Sequence, residues 1–353
     1  MKSIKIDNIT INKESLPFII AEIGANFEHS IDKACEMIEA AAKCGVSAVK
    51  FQTYNPKTNV TKRAPKFWDI EGTGSTQYEE QIDGLILDKA QYKILKQVAE
   101  KNKMIFFSSV CDIEGVELLE EVGVPAFKLS SMEITNLPFL KYMGEKGKPV
   151  ILSTGASDLE EVREAVDTFL ATGNKQLVLL HCVSNYPTII ENVNLNKITT
   201  LIREFPALLI GYSDHTLPDI SRQVITAAVA LGARVIEKHF TFDSARLGFD
   251  HEISADYLLM DEIVKDIEIT AQALGDNRIK HLPSEEKVRL YGRRGAVSRV
   301  FIPKGTKVTE DMIIIKRPAM GIQPKEIHEL FGKITLQDIP EDEVITWDMI
   351  KIK

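Results

Sequence analysis

Two short apolar runs in the chain end on a histidine beside a carboxylate: Leu208-Leu-Ile-Gly-Tyr-Ser-Asp-His215 and Arg234-Val-Ile-Glu-Lys-His-Phe240. A short apolar run with a polar terminus reads as a buried parallel strand whose C-terminal end opens on a site. His215 and His239 then project from neighbouring strand ends, and with Asp214 and Glu237 beside them they form a candidate site for a divalent cation. Each histidine taken singly equally suits a hydrogen-bonded structural role. Lys50 and Lys128 stand inside other apolar runs, where an unpaired ammonium is costly to bury. Each needs either a carboxylate, for which Glu22 and Glu133 are candidates, or an anionic ligand. A strand lysine can also act as a Schiff-base nucleophile, although a cation and an imine are alternative ways to activate a carbonyl.

These residues need elements to hold them. Strand-like segments Phe18–Glu22, Ala48–Gln52, Met104–Ser108, Ala126–Ser130, Pro149–Ser153 and Leu177–His181 precede the two runs above, making eight in all. Helical patterns separate them. Ile31 to Lys43 places Ile31, Ala34, Cys35, Ile38 and Ala41 on one face, Ser157-x-x-Glu160 reads as a capping box, and Ser221 to Leu231 is the last crossover. Eight such units over roughly 260 residues predict a closed (β/α)8 TIM barrel, and no Gly-x-Gly-x-x-Gly follows the first strand to favour a dinucleotide fold.

In such a barrel the chemistry sits at the C-terminal strand ends, and polar residues stand at every one. They include Glu22, Lys50 with Gln52, Ser108 with Ser109, Lys128 with Ser131, Ser153, His181 with Ser184, Ser213 with Asp214 and His215, and Lys238 with His239. Two lysines and a ring of hydroxyls fit phosphate and carboxylate groups.

Residues 3–14 alternate around Asp7-Asn8 as a small hairpin ahead of the barrel. Between Gln52 and a helix starting near Asp88 lies a long excursion with little periodicity, a lid candidate over the barrel mouth with Trp68 and Tyr78 as contacts. The barrel is expected to occupy 1–280, followed by a linker at 281–290 and a small domain at 291–353. That last region repeats itself: Ile302 to Ile313 aligns without gaps to Ile339 to Ile350 at an offset of 37.

The net charge of −8 and pI near 5.5 argue against nucleic acid or an anionic membrane as partner. No apolar run approaches the roughly 20 residues of a membrane span, and no signal-peptide core is present, so cytoplasmic residence is expected. Cys35, Cys44, Cys111 and Cys182 are scattered and read as reduced thiols.

The chain resembles the sialic acid synthase family, which includes legionaminic and pseudaminic acid synthases. The matching motifs are Ala21-Glu-Ile-Gly-Ala-Asn26, Val49-Lys-Phe-Gln-Thr53, Lys128-Leu-Ser-Ser-Met-Glu133, Ile151-Leu-Ser-Thr-Gly155, His181-Cys-Val-Ser-Asn-Tyr-Pro187, Gly211-Tyr-Ser-Asp-His-Thr216, Glu237-Lys-His-Phe-Thr241 and Lys316-Arg-Pro318. The tail resembles the family's antifreeze-like (SAF) domain. The resemblance implies metal-dependent condensation of phosphoenolpyruvate with an N-acetylated amino sugar, giving a nine-carbon keto acid and phosphate. It implies that His215 and His239 hold Mn2+ or Mg2+, and that Lys50, Ser109, Lys128, Ser131, Ser153, Ser184 and Ser213 hold phosphoenolpyruvate. Gln52, Glu133, Tyr186 and Asp250 would hold the sugar, with Glu22 handling protons or orienting water. Arg317 would complete the site of the opposite subunit in a domain-swapped homodimer. Two segments depart from the family pattern: Asn26-Phe-Glu-His-Ser30 stands where many members have Asn-His-Asn-Gly, and Gly248-Phe-Asp-His251 where Gly-Pro-Asp is common. Both fall at the barrel mouth and bear on the sugar half. A lysine-dependent aldolase or sialic acid lyase, and a carbohydrate-binding protein, are the alternatives.

Overall fold

The computed structural model describes residues 3–66, 76–82 and 87–351. Chain contacts divide it into two compact units, Met1–Gly275 and Asp276–Lys353. The segment after Gly275 belongs with the second unit, where the Ala319 N–H donates to Leu290 O at 2.8 Å. Among the described residues no helix is long and apolar enough to cross a membrane.

The first unit opens with an antiparallel hairpin, β1 (Ser3–Ile6) and β2 (Ile9–Asn12), whose Ile4, Ile6 and Ile11 join the main apolar core. Eight parallel strands then close into a barrel: β3 (Phe18–Gly24), β4 (Ala48–Thr53), β5 (Ile105–Val110), β6 (Phe127–Leu129), β7 (Val150–Ser153), β8 (Leu177–His181), β9 (Leu209–Asp214) and β10 (Val235–His239), with β10 pairing back onto β3. Residues of β3, β6 to β10 are buried throughout, because one face of each strand fills the barrel and the other meets helices.

The helices follow the expected periodicity with small shifts. Ser30 caps Ile31–Lys43 by accepting from the Lys33 N–H, and the buried stripe is Ala34, Met37, Ile38 and Ala41, leaving Ile31 and Cys35 half-buried. The capping box before Leu159–Ala171 lies one residue later than expected: Glu161 accepts from the Asp158 N–H at 2.8 Å, whereas the Ser157 hydroxyl turns to Gly155 O. Pro187 and Pro318 follow cis peptide bonds. In the excursion after β4, Tyr78 lies half-buried in the helix Gln77–Ile82; Trp68 falls outside the described residues.

The second unit is built on its repeat. Strand β11 (Gly295–Ser298) pairs with β12 (Ile313–Lys316), and β13 (Ile334–Thr335) with β14 (Ile350–Lys351). Ser298 faces Ile313 as Thr335 faces Ile350, each 37 residues on. Ile302 and Ile339, equivalent to one another, exchange two backbone hydrogen bonds of 2.9 Å. The bridge Val297↔Val344 is mirrored by Lys307↔Ile334. Pairing of a residue with its own repeat equivalent is the mark of an internal two-fold axis. Ile302/Ile339, Val308/Ile345 and Ile313/Ile350 populate the core of this unit from both halves.

Because Ile302 and Ile339 are equivalent and meet at the axis, Ile302→Ala and Ile339→Ala are each expected to destabilise the tail by about 2–5 kcal/mol. The double variant should lose less than the sum, since neighbours couple. Hydrogen exchange of full-length protein over 295–351 checks this; a silent variant at either position would contradict the two-fold core.

Candidate active site

Strand register sets an inward polar layer at the barrel's C-terminal end. His239 pairs with Glu22 and Glu22 with Lys50; Gln52 pairs with Ser109 and Ser109 with Lys128; Glu237 pairs with Ser213. Side chains alternate faces along a strand, so these eight positions share the inner face.

Lys50 Nζ lies 2.8 Å from Glu22 Oε2 and 3.6 Å from Glu237 Oε2. Gln52 Nε2 donates to Glu22 Oε1 and Ser213 Oγ to Glu237 Oε1, both at 3.0 Å. Lys128, equally buried, donates to Ser153 Oγ at 2.7 Å and to Leu129 O at 2.9 Å and has no carboxylate within ion-pair distance among the described residues. Burial lowers its pKa, opposed by the more distant Glu237. Burial acts on Lys50 too, but Glu22 and Glu237 outweigh it and raise that pKa. The two strand lysines therefore divide: Lys50 takes the carboxylate option, Lys128 is left for an anion.

Beside Lys128 three loops converge. The Gly155 N–H donates to Ser131 Oγ at 2.8 Å, and Ser131 Oγ lies 3.2 Å from Cys182 Sγ. A Cβ at Gly155 would stand 2.3 Å from Ser184 Oγ and 2.9 Å from Ser131 Oγ, so only glycine leaves the two hydroxyls and a backbone amide around one spot. Ser109 sits at the adjacent strand end, its hydroxyl 3.4 Å from Phe51 O.

Across the mouth the His215 and His239 rings lie 5.6 Å apart between centroids. His215 Nδ1 donates to Val183 O at 2.7 Å, which leaves Nε2 as the lone-pair nitrogen. Burial pushes the His215 pKa down to about 4, and burial with His215 and Lys50 nearby holds His239 well below its ordinary value. Both imidazoles are neutral at pH 7, the form that ligates metals. His239 Nδ1 is buried without a hydrogen-bond partner, and the nearest carboxylate is Asp250 Oδ2 at 3.5 Å. Among the described residues no group of three or more His, Cys, Asp or Glu forms a complete cage. Two neutral imidazoles fit an open site in which water and substrate supply the remaining ligands. Tyr186 stacks on His215 at 4.2 Å, and Glu133, held by Asn136 Nδ2 at 3.0 Å, has its pKa raised by burial. Arg317 is exposed in the second unit.

The other parity corrects part of the sequence reading. Asp214, expected beside the histidines for the cation, is paired with Lys238 Nζ at 2.6 Å and also accepts from Tyr212 and Thr216. His181 donates through Nε2 to Val193 O, and Ser108 accepts from Thr53. These residues lie between strands and helices because their positions alternate with those of the inner layer. Glu237, by contrast, stands within the inner layer among both lysines. Expected beside the cation, Glu237 pairs instead with Lys50 at 3.6 Å; the place of Gly155 went unassigned, its only signal being a glycine following the Ser-Thr strand end.

Burial, opposed by Lys50 and reinforced by Glu237, lifts the Glu22 pKa to about 7. For Glu237, burial is outweighed by Lys128, Lys50 and the Ser213 hydroxyl, so it is held below the usual carboxylate value and stays charged. A raised pKa means that the folded state keeps the Glu22 proton after the unfolded chain has lost it. The associated stability is full below the ordinary value of 4.5 and is lost as pH rises through about 7. Melting of the metal-free protein at about pH 5 and about pH 8 should therefore show a larger decline in wild type than in Glu22→Gln. Equal declines would place the buried proton elsewhere.

The sequence pattern of the NeuB family matches residues 37–279, and that of the SAF domain residues 293–351. The N,N'-diacetyllegionaminic acid synthase of Legionella pneumophila is 38% identical over 98% of this chain and 98% of its own. The pseudaminic acid synthase of Campylobacter jejuni is 33% identical over 93% and 95%. The crystal structure of the N-acetylneuraminic acid synthetase of Leptospira borgpetersenii in complex with citrate is 32% identical and superposes with a TM-score of 0.73, covering 81% of this chain and 94% of that one. With an eight-stranded barrel and a tail that match the two family patterns in turn, the chain belongs to the NeuB family, as a phosphoenolpyruvate-dependent condensing synthase with a C-terminal SAF domain.

Proposed function

We propose that this protein condenses phosphoenolpyruvate with an N-acetylated amino sugar, N-acetylmannosamine or a 6-deoxy-diacetamido hexose, to a nine-carbon sialic-acid-type keto acid and phosphate. The observation that supports the reading is Lys128, a buried ammonium without a carboxylate at ion-pair distance among the described residues, standing beside the Ser131–Gly155–Ser184 cradle. Such a site favours an anion of small size, and a phosphate or carboxylate meets both needs.

In this scheme Lys50, Lys128, Ser109, Ser131, Ser153, Ser184 and Ser213 hold phosphoenolpyruvate. Gln52, Glu133, Tyr186 and Asp250 orient the sugar so that its aldehyde carbon meets the methylene carbon of phosphoenolpyruvate. His215 and His239 would hold a divalent cation, Mn2+ or Mg2+, which when bound supplies Lewis-acid polarisation of the aldehyde. The carbon–carbon bond forms with the double-bond electron pair, the former aldehyde oxygen takes up a proton, and the phosphate-bearing carbon is left cationic; Glu22 takes a proton from the water that adds there, a task that suits a carboxylate poised near pH 7. The lysines then stabilise the departing phosphate.

Phosphate release from phosphoenolpyruvate, measured with a panel of N-acetylated hexoses, should occur with one sugar class and stop on EDTA treatment. His239→Ala should remove most activity while leaving the fold. Because burial lowers the Lys128 pKa, a property that an imine-forming lysine shares, borohydride reduction with keto acid is the second arm. Full activity after exhaustive chelation, or an adduct on Lys50 or Lys128, would overturn the reading in favour of an aldolase.

We further propose a homodimer in which Arg317 serves the site of the opposite subunit. Supporting it are exposed apolar side chains on the mouth loops, Phe242, Leu247, Phe249, Ile189 and Ile190, which call for cover. A two-fold dimer makes the exchange reciprocal. Mixing inactive Arg317→Ala and His239→Ala proteins after dissociation should restore about a quarter of wild-type activity, since half the dimers are then mixed and each has one intact site. No recovery from confirmed heterodimers would end the exchange.

A further inference from the structure

The two segments that depart from the family pattern meet. Glu28 and His29, standing where Asn-Gly is common, both adopt left-handed backbone, with φ of 51° and 64°. Glycine, asparagine and to a degree histidine tolerate that region; glutamate does so when surrounding contacts impose it. The contacts here come from the second segment and from Lys33 and Arg246. Glu28 Oε1 accepts from His251 Nε2 at 3.0 Å and pairs with Lys33 Nζ at 3.1 Å and with Arg246 Nε. His251 is fully buried and its Nδ1 lies 2.7 Å from the Thr241 hydroxyl. Phe249, itself left-handed at φ 49°, packs edge-on to both His29 and His251.

Asp250 lies between Phe249 and His251. Its N–H donates to Asn26 Oδ1 at 3.1 Å, its carbonyl accepts from Ser254 Oγ at 2.5 Å, and its Oδ2 stands 3.5 Å from His239 Nδ1. Asn26, fully buried, also donates to Phe240 O and Ser254 Oγ. These holds on the Asp250 backbone run through the 26–29 segment and through its own short loop, and Glu28, clasping His251, is the charged end of the first.

We propose that Glu28 is a positioning residue for the amino-sugar half of the site: clasping His251, it fixes the backbone of Asp250 so that the carboxylate stands over His239. The inference rests on the sugar role given to Asp250 above. Glu28 does not touch the phosphoenolpyruvate cradle, which is built from the ends of β6, β7 and β8, so its loss should separate the two substrates.

Two measurements test this. In ligand-free protein, Glu28→Ala should raise hydrogen exchange over 249–254, with Glu28→Gln, which can still accept from His251, showing a smaller rise. In phosphate-release kinetics, Glu28→Ala should raise the KM for the sugar about tenfold or more while the KM for phosphoenolpyruvate stays within about twofold. Glu28→Gln should recover part of that loss. His251→Asn should show the same split, and the double variant should be no worse than the single ones. Unchanged exchange, or the two KM values rising together, would overturn the proposal. Wild-type protein that releases phosphate with none of the sugars would instead overturn the parent reading, with exchange still deciding whether Glu28 holds Asp250.

Discussion

Lys50 between Glu22 and Glu237 is the interaction on which the rest of the mouth depends. Two buried carboxyl groups within 3.6 Å of one buried ammonium persist only because the ammonium offsets them. The trio engages both Glu22 and Glu237, and among the described residues Lys128 has no carboxylate at ion-pair distance. Burial, with Glu237 nearby and against Lys50, lifts Glu22 towards neutrality, while Lys128 and Lys50 keep Glu237 charged, so two carboxylates of one layer are set to different tasks by their surroundings. Burial of the histidines completes the division by keeping both imidazoles uncharged.

Much of this was legible in the sequence. Polar residues at the end of an apolar run announce a strand terminus, and eight such runs separated by helical periodicity admit few architectures. The pair His215 and His239, the two strand lysines and most of the hydroxyls fall on the inner face as expected. What sequence concealed was side: Asp214 and Glu237 both neighbour a histidine in the chain, yet one faces the helices and the other the site. Adjacent residues of a strand must diverge, so proximity in sequence to His215 was evidence against Asp214, not for it. The clasp of Glu28 by His251 was concealed for another reason, since it joins positions 223 apart and neither segment carries a pattern naming the other.

The tail offers the opposite case, in which a repeat in the sequence predicts pairing in detail. Ile302 and Ile339 were visible as equivalents, and equivalence at an offset of 37 becomes contact once the two halves are related by a two-fold axis. Ser298 Oγ reaching Pro340 O and Thr335 Oγ1 reaching Pro303 O repeat the relation in side chains. A core assembled from equivalent residues of two halves lets a short chain close without long helices.

The outward pair of Asp214 and Lys238 touches no part of the site, yet it bears on whether the site exists. Both are fully buried and 2.6 Å apart, on strands β9 and β10 that carry the two histidines. If β10 slid by one residue against β9, Lys238 would turn into the mouth and His239 out towards the helices, leaving Asp214 charged and alone in an apolar layer. Removing one partner from a buried pair costs about 3–5 kcal/mol, a large fraction of what holds a domain folded. The pair therefore works as a checksum on strand alignment: a chain that mispairs these strands cannot settle, and only the register that brings the two imidazoles together survives folding.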